Sequence, residues 1–279
     1  MPEDPHPLTG QLFSSPVPPG TGWPGDPATA DTPVAVSRDD VVALAAEAPT
    51  LQELDARLSV CRACPRLVEW REDVATTGRR ASFADQPYWG RPVTSYGDVD
   101  AAVVVVGLAP AANGGNRTGR VFTGDRSGDW LYAALFRAGY ASQAASTHAG
   151  DGLTLTGIRV AAAVRCAPPD NKPTTLERDT CAPWLDRELE LMSPRLRVML
   201  ALGNFGWAAA LRTALHLGWD VPRPQPKFGH AVEVQLGVPD GRVVTLVGCF
   251  HVSQRNTFTG LLTEAMLDDV LARVRALAA

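Results

Sequence analysis

AAVVVVGLAPAANGGNRTGRVFTGDRSG, residues 101–128, decides the fold. Its first six residues are small or β-branched and uniformly apolar. A short run of that kind, closed by Gly107, reads as a strand buried on both faces, the habit of a parallel sheet. A loop dense in glycine, alanine and asparagine follows, and a helix from about residue 127 to 138. Strand, loop and helix then recur. Residues 158–164 and 197–202 read as further short strands, with an amphipathic helix over 176–191 between them. Asn204 is placed to cap a helix running through residue 215. Residues 232–236 and 243–249 read as strands about a turn at Pro239-Asp240-Gly241. A last helix covers 263–277. Upstream, Ser37 with Asp40 resembles a helix start, and Thr50 precedes a second helix over 51–58. The expectation is an α/β protein: a single-domain, three-layer α/β/α sandwich around a short, mostly parallel sheet. Ligands of such sheets bind beyond the carboxyl ends of the strands. That points to the loops after Val106, Val164 and Phe250.

The chain has 279 residues, 45% hydrophobic and 20% charged, enough for a sizeable core. The formal net charge of −4 means that any nucleic-acid site is a local basic patch. All basic residues except Lys172 and Lys227 are arginine. That composition suits bidentate phosphate contact, and it equally suits a GC-rich genome. Prolines crowd the first 50 residues. Residues 1–36 read as a proline-rich extended arm that Phe13 and Trp23 could pin to the body, and residues 37–279 as the α/β domain. No apolar run reaches the roughly 20 residues of a bilayer span, and the acidic start lacks signal-peptide features. No membrane is expected, and the expected compartment is the cytoplasm.

Cys61 and Cys64 form C-x-x-C in SVCRACPRL. Cys166 follows a strand, and Cys181 opens the next helix. Four thiolates from two separated pairs make a metal or cluster site in a reducing compartment. Spacing alone does not separate zinc from iron–sulfur. The loose second pair, with residues 167–180 between its members, favours [4Fe–4S] over a zinc ribbon. Cys249, inside an apolar strand, reads as a packed core thiol.

Two loops carry the chemistry. In residues 107–128 the small residues let main chain approach a ligand closely, so Gly107, Leu108, Ala109 and Ala111 would bound something flat or anionic. Asn116, Arg117 and Arg120 add polar and cationic reach. Phe122 offers a ring face, or packs in the core. No G-K-[ST] follows, so this is not a phosphate-binding P-loop. Asp125 stands where a helix cap belongs. In the second loop, FHVSQRNTFTG, His251 lies at the carboxyl edge of the sheet. Ser253, Gln254, Arg255, Asn256 and Thr257 suit phosphate oxygens.

Together these motifs resemble the family-five uracil-DNA glycosylases. GLAPAANGGNRTGRVFTGDRSG is similar to their first motif and CFHVSQRNTFTG to their second. CRACPRL, VRCAPPDNKPTT and DTCAPWL are similar to the cluster cysteines of the iron–sulfur branch of the uracil-DNA glycosylase superfamily. The resemblance covers residues 51–274. It implies a [4Fe–4S] cluster on Cys61, Cys64, Cys166 and Cys181, mainly structural in role. It implies DNA carrying uracil, or other deaminated bases such as hypoxanthine, as the partner, and hydrolysis of the N-glycosidic bond as the reaction. The flipped base would stack on Phe122, and His251 would donate to its developing oxyanion. Residues 109–116 contain no carboxylate, so Asn116 is the expected water-positioning residue, with Asp125 in reserve. Arg117, Arg120, Ser253, Arg255 and Asn256 would grip DNA, and Phe258 would wedge the gap or pack beneath the last helix.

The chain departs from the family pattern in three places. It has His251-Val252-Ser253 where His-Pro-Ser is common, and Asn113 where histidine is common. It has alanines and a valine over 161–164 where an asparagine reads uracil in related enzymes. Losing that amide implies weaker discrimination among deaminated bases. A non-catalytic, metal-stapled DNA-binding module is the competing reading, because it would keep the cysteines and arginines without needing His251. A monomer is expected.

Overall fold

The computed structural model describes residues 3–279. In chain order its elements are β1 (Asp4–Pro5), β2 (Leu12–Phe13), α1 (Arg38–Ala46), α2 (Leu51–Ser59), α3 (Pro65–Thr76), β3 (Tyr96–Gly97), β4 (Val103–Gly107), α4 (Gly115–Thr118) and α5 (Arg126–Arg137). There follow β5 (Ile158–Ala162), α6 (Thr175–Met192), β6 (Val198–Leu202), α7 (Gly203–His216), β7 (Glu233–Gly237), β8 (Val243–Cys249), α8 (Gln254–Phe258) and α9 (Glu264–Ala278).

The main sheet runs β3-β5-β4-β6-β8-β7. Its four inner strands are parallel, and the two edge strands pair antiparallel. The inner strands are buried on both faces, and alternate residues serve opposite layers. Val103, Val105, Leu200 and Leu202 pack with Leu131 and Leu135 of α5 and Leu267 and Leu271 of α9. Val104, Val106, Met199 and Ala201 pack with Trp184 and Leu185 of α6 and Trp207 and Leu211 of α7. This is the expected α/β/α sandwich.

Most helix starts follow the expected chemistry. Ser37 and Asp40 close a capping box on α1, Thr174 and Glu177 close one on α6, and Thr50 and Thr263 cap α2 and α9. Asn204 is the exception. It lies inside the first turn of α7, which starts at Gly203 directly after β6 without a side-chain cap. Cys181 lies well inside α6 rather than at its start. Helix α3 occupies residues to which the sequence reading assigns no element; Pro65 stands at its first position.

Residues 3–36 lie along the body. Phe13 and Trp23 are each 2% exposed. Asp26 pairs with the buried Arg91 through two 2.9 Å hydrogen bonds. Among the described residues no helix is long and apolar enough to cross a membrane.

Candidate active site

A cleft of about 480 Å³ opens beyond the carboxyl ends of β4 and β8, a size within the roughly 300–1,000 Å³ of small-molecule sites. Leu108, Ala109 and Ala111 line it, with Phe122, Asp125 and His251 around them. Strand β4 delivers the first wall. Gly107 has to lack a side chain, because a Cβ there would stand 2.7 Å from two ring carbons of Phe122. Phe122 itself has φ 50, a left-handed backbone that costs a bulky residue about 1–2 kcal/mol. Its surroundings hold it there. Gly128 lets the Phe122 carbonyl lie against the first turn of α5, where a Cβ would be 1.9 Å from the oxygen. Tyr132 Oη donates to the carbonyl of Val121 at 3.0 Å. Backbone strain of this kind clusters at active sites and ligand clamps, which makes this wall a candidate.

Strand β8 delivers His251. Val252 is fully buried and anchors the turn, and Asn256 Nδ2 donates to the His251 carbonyl at 2.8 Å. The imidazole is half-buried, its centroid 6.0 Å from that of Phe122. Burial pushes its pKa down to about 4. The ring is therefore neutral at pH 7, with one donor and one acceptor nitrogen.

Asp125 is the helix cap that its sequence position suggests, and it also lines the cleft. One carboxylate oxygen caps α5, accepting from the N–H groups of Ser127 and Gly128 at 2.9 and 3.0 Å. The other lies against Gly114, where a Cβ would be 2.2 Å from it. Burial raises its pKa, against the two N–H bonds that lower it.

Asn116, Arg117, Arg120 and Asn256, all expected at the site, do not line the cleft. Asn116 is 1% exposed, and its Nδ2 donates to the carbonyl of Arg71 at 3.1 Å. The single turn of α4 aims it inward. Arg117 is buried, donating to the carbonyls of Asn113 and Gly124 and to Gln86 Oε1, with its guanidinium 3.9 Å over the Phe83 ring. Arg120 is buried against Asp151 at 2.7 Å and lies over the Tyr96 ring. These arginines brace the loop, and both are turned into the protein rather than towards the cleft. Asn256 spends its amide on His251, while Arg255 is exposed at the rim and Ser253 half-buried there.

Two residues that the sequence reading passed over line the cleft. Asn171 stands exposed at its mouth, in a turn beyond β5, with φ 55. Asparagine's tolerance of left-handed backbone in a loop at the carboxyl edge was the available signal. Arg126 is exposed at the rim, its guanidinium 5.0 Å over the ring of Phe258, which is 65% exposed. Phe258 is thus not packed beneath the last helix.

Cys61, Cys64, Cys166 and Cys181 line one small cavity behind this site. Cys61 ends the turn after α2, Cys64 precedes α3, Cys166 follows β5, and Cys181 comes from α6. Burial, reinforced by neighbouring thiolate charge, pushes Cys61 up to about 11 and Cys64 up to about 12. Arg71 is buried beside them. Its Nη1 donates to Cys166 Sγ at 2.8 Å and its Nη2 to the Cys61 carbonyl at 3.1 Å, while its Nε has no partner. Among the described residues no three Cys, His, Asp or Glu side chains gather about one metal-ion position. Cys249 is fully buried in β8, a core thiol.

A buried parallel sheet whose carboxyl edge opens on a cleft lined by an aromatic ring and a histidine defines a class, the α/β enzymes with their site beyond the strand ends. The comparison with known families then specifies it. Residues 94–275 match the uracil DNA glycosylase superfamily, and the chain belongs to that superfamily. It is similar to the type-5 uracil-DNA glycosylases of Mycobacterium tuberculosis and Mycobacterium bovis, each 56% identical over 98% of both chains. The type-5 uracil-DNA glycosylase of Thermus thermophilus is 47% identical over 79% of this chain and 95% of the relative.

Proposed function

We propose that the protein hydrolyses the N-glycosidic bond of uracil in DNA, leaving an abasic site for repair. The observation that carries this reading is that His251 and Phe122, their ring centroids 6.0 Å apart, line one base-sized cleft. A base inside a duplex is out of reach, so it is flipped out, at a cost of a few kcal/mol. Phe122 supplies the stacking face. The departing base takes negative charge onto its carbonyl oxygens, and a neutral imidazole N–H aimed there stabilises it. No proton needs to move to the histidine. Asp125 takes the role first expected of Asn116: its free carboxylate oxygen orients the attacking water, faces the cationic sugar and accepts the proton that the water releases, which then neutralises the departed base anion. Arg126 and Arg255 grip phosphates, and the exposed Phe258 enters the gap left by the base. The cleft is built from one chain, so a monomer suffices.

Hypoxanthine is a second substrate in this reading. Its N1–H and O6 repeat the donor–acceptor pair of uracil N3–H and O4, so one amide reads both. Asn171, at the cleft mouth, supplies the amide that residues 161–164 lack.

The four cysteines fit a [4Fe–4S] cluster. A buried guanidinium donating to a thiol sulfur, whose nearest carboxylate, Glu72, stands 3.9 Å away and hydrogen-bonds Arg62 instead, calls for an anionic partner, and cluster thiolates would supply one. Sulfurs on one zinc would crowd about a single point at bonds of about 2.3 Å, whereas a four-iron cluster spans a wider space. Bound there, the cluster ties four segments together and supplies no step of the hydrolysis.

The deciding experiment incubates the protein with uracil, hypoxanthine and undamaged duplexes, then cleaves with alkali and resolves the strands. Breaks only at the two lesions are expected. His251→Ala should keep DNA binding and lose excision. Binding without breaks in the unaltered protein would instead establish the binding-module reading.

A further inference from the structure

We propose that His230 is a positioning residue for His251, acting through the main chain of Phe250. The inference rests on the glycosylase reading above. Residues 226–231 run beside the end of β8. Ala231 N donates to the Gly248 carbonyl at 2.7 Å, and Gly248 N donates to that of Val232 at 2.9 Å. Gly248 admits this approach, since a Cβ there would stand 2.2 Å from the Gly229 oxygen. The next outward-facing donor is Phe250 N, and a side chain takes it: Phe250 N–H donates to His230 Nδ1 at 3.2 Å. The same imidazole stacks on the Phe250 ring, centroids 4.9 Å apart and 24° from parallel. Phe228 contacts that ring from 6.2 Å and leans on Trp207, whose indole N–H donates to the Pro226 carbonyl at 3.0 Å. The residue before His251 is thus held by a hydrogen bond, a stack and an aromatic flank.

An Nδ1 that accepts carries no proton, so Nε2 does, and His230 works only as the neutral ring. Burial lowers its pKa, which keeps it neutral. Since His251 is one peptide bond from Phe250, loss of this anchor releases the donor that the transition state needs. Small misplacements of such groups cost large factors in rate.

The test uses His230→Phe, which keeps a ring and removes the acceptor, and His230→Asn, which removes the stack and keeps an acceptor. Single-turnover excision is measured beside the affinity for a duplex whose 2′-fluoro sugar resists cleavage. His230→Phe should slow the chemical step about tenfold with unchanged affinity, the order expected for one lost hydrogen bond; His230→Asn should recover most of the rate. Nitrogen-15 spectra of the unaltered protein should give the Nε2-protonated tautomer for His230, a readout independent of how any variant folds. Wild-type chemistry in His230→Phe, or an Nδ1-protonated ring, overturns the proposal. Undiminished excision by His251→Ala would instead overturn the reading on which it rests.

Discussion

Gly107→Ala isolates the role of Phe122. The backbone of Gly107 is ordinary strand, so alanine brings no conformational strain and the effect is steric alone. The new Cβ would stand 2.7 Å from the Phe122 ring, against the ~3.5–4.0 Å of an unstrained carbon contact. About 1 Å of movement is therefore required. The ring cannot take it through the backbone, because the Phe122 carbonyl is pressed against Gly128. It takes it by tilting into the cleft, where a base would stack. Base–aromatic stacking is worth roughly 1–3 kcal/mol, so excision should fall about 5- to 150-fold under single-turnover conditions. Overpacking should also lower stability by about 1–3 kcal/mol. Phe122→Leu shortens the side chain and relieves the clash. The two substitutions together should then cost less than the sum of each alone. Gly107→Ala that excises uracil at the unaltered rate and melts at the unaltered temperature would refute Phe122 as the stacking wall.

His148 gives stability a pH dependence. It is buried against His6 and Trp23, and its pKa is pushed down to about 3, chiefly by burial. The folded state keeps it neutral while the unfolded chain binds a proton below pH 6.5, so stability is complete above pH 6.5 and is lost as pH falls. The loss reaches about 2 kcal/mol at pH 5; melting curves should register it, and His148→Phe should flatten the dependence. Asp26→Ala strands the buried Arg91 without its counter-charge and should cost about 3–5 kcal/mol in urea unfolding; a cost below 1 kcal/mol would mean that the arm is not tied down there. Arg255→Ala should reduce the slope of log affinity against log salt by about 0.9. Arg117→Ala should leave that slope unchanged and lower the melting temperature instead.

What was legible in the sequence was local. The unbroken apolar run of β4 declares a buried parallel strand, and Ser37 with Asp40 declares a helix start through hydrogen bonds within four residues. Helix α3 was not legible because its inner face buries Arg71 beside Leu67 and Val68, which breaks the apolar period. The inward turn of Asn116 depends on distant chain: Trp89 N donates to the Arg117 carbonyl and Gly90 N to that of Asn116. No spacing within residues 107–128 records those partners, so polar residues in a glycine-rich loop look as though they face a ligand. Asn171 escaped for the converse reason, since an exposed residue among prolines has no period to read.

Several of the arginines serve the fold and not the surface, so the net charge of −4 is set by other groups. A loop between strand and helix has no ladder to satisfy its carbonyls, and small residues make it slack. A guanidinium offers five donors in a fixed fork, so one buried arginine can hold several loop groups at once. Arg117 does this for Asn113, Gly124 and Gln86. Arg91, Arg120 and Arg159 are each neutralised by carboxylates at Asp26, Asp151 and Glu188. Their charge is invisible to DNA, and what they contribute is rigidity: a strained Phe122 is useful as a wall only if the loop carrying it cannot relax. In the proposed function, phosphate contact falls to the exposed arginines at the rim, Arg126 and Arg255. A net negative surface with basic residues confined to the rim, and a stiff pocket, would fit one task, in which the enzyme leaves undamaged DNA readily and acts only where a base can be drawn out.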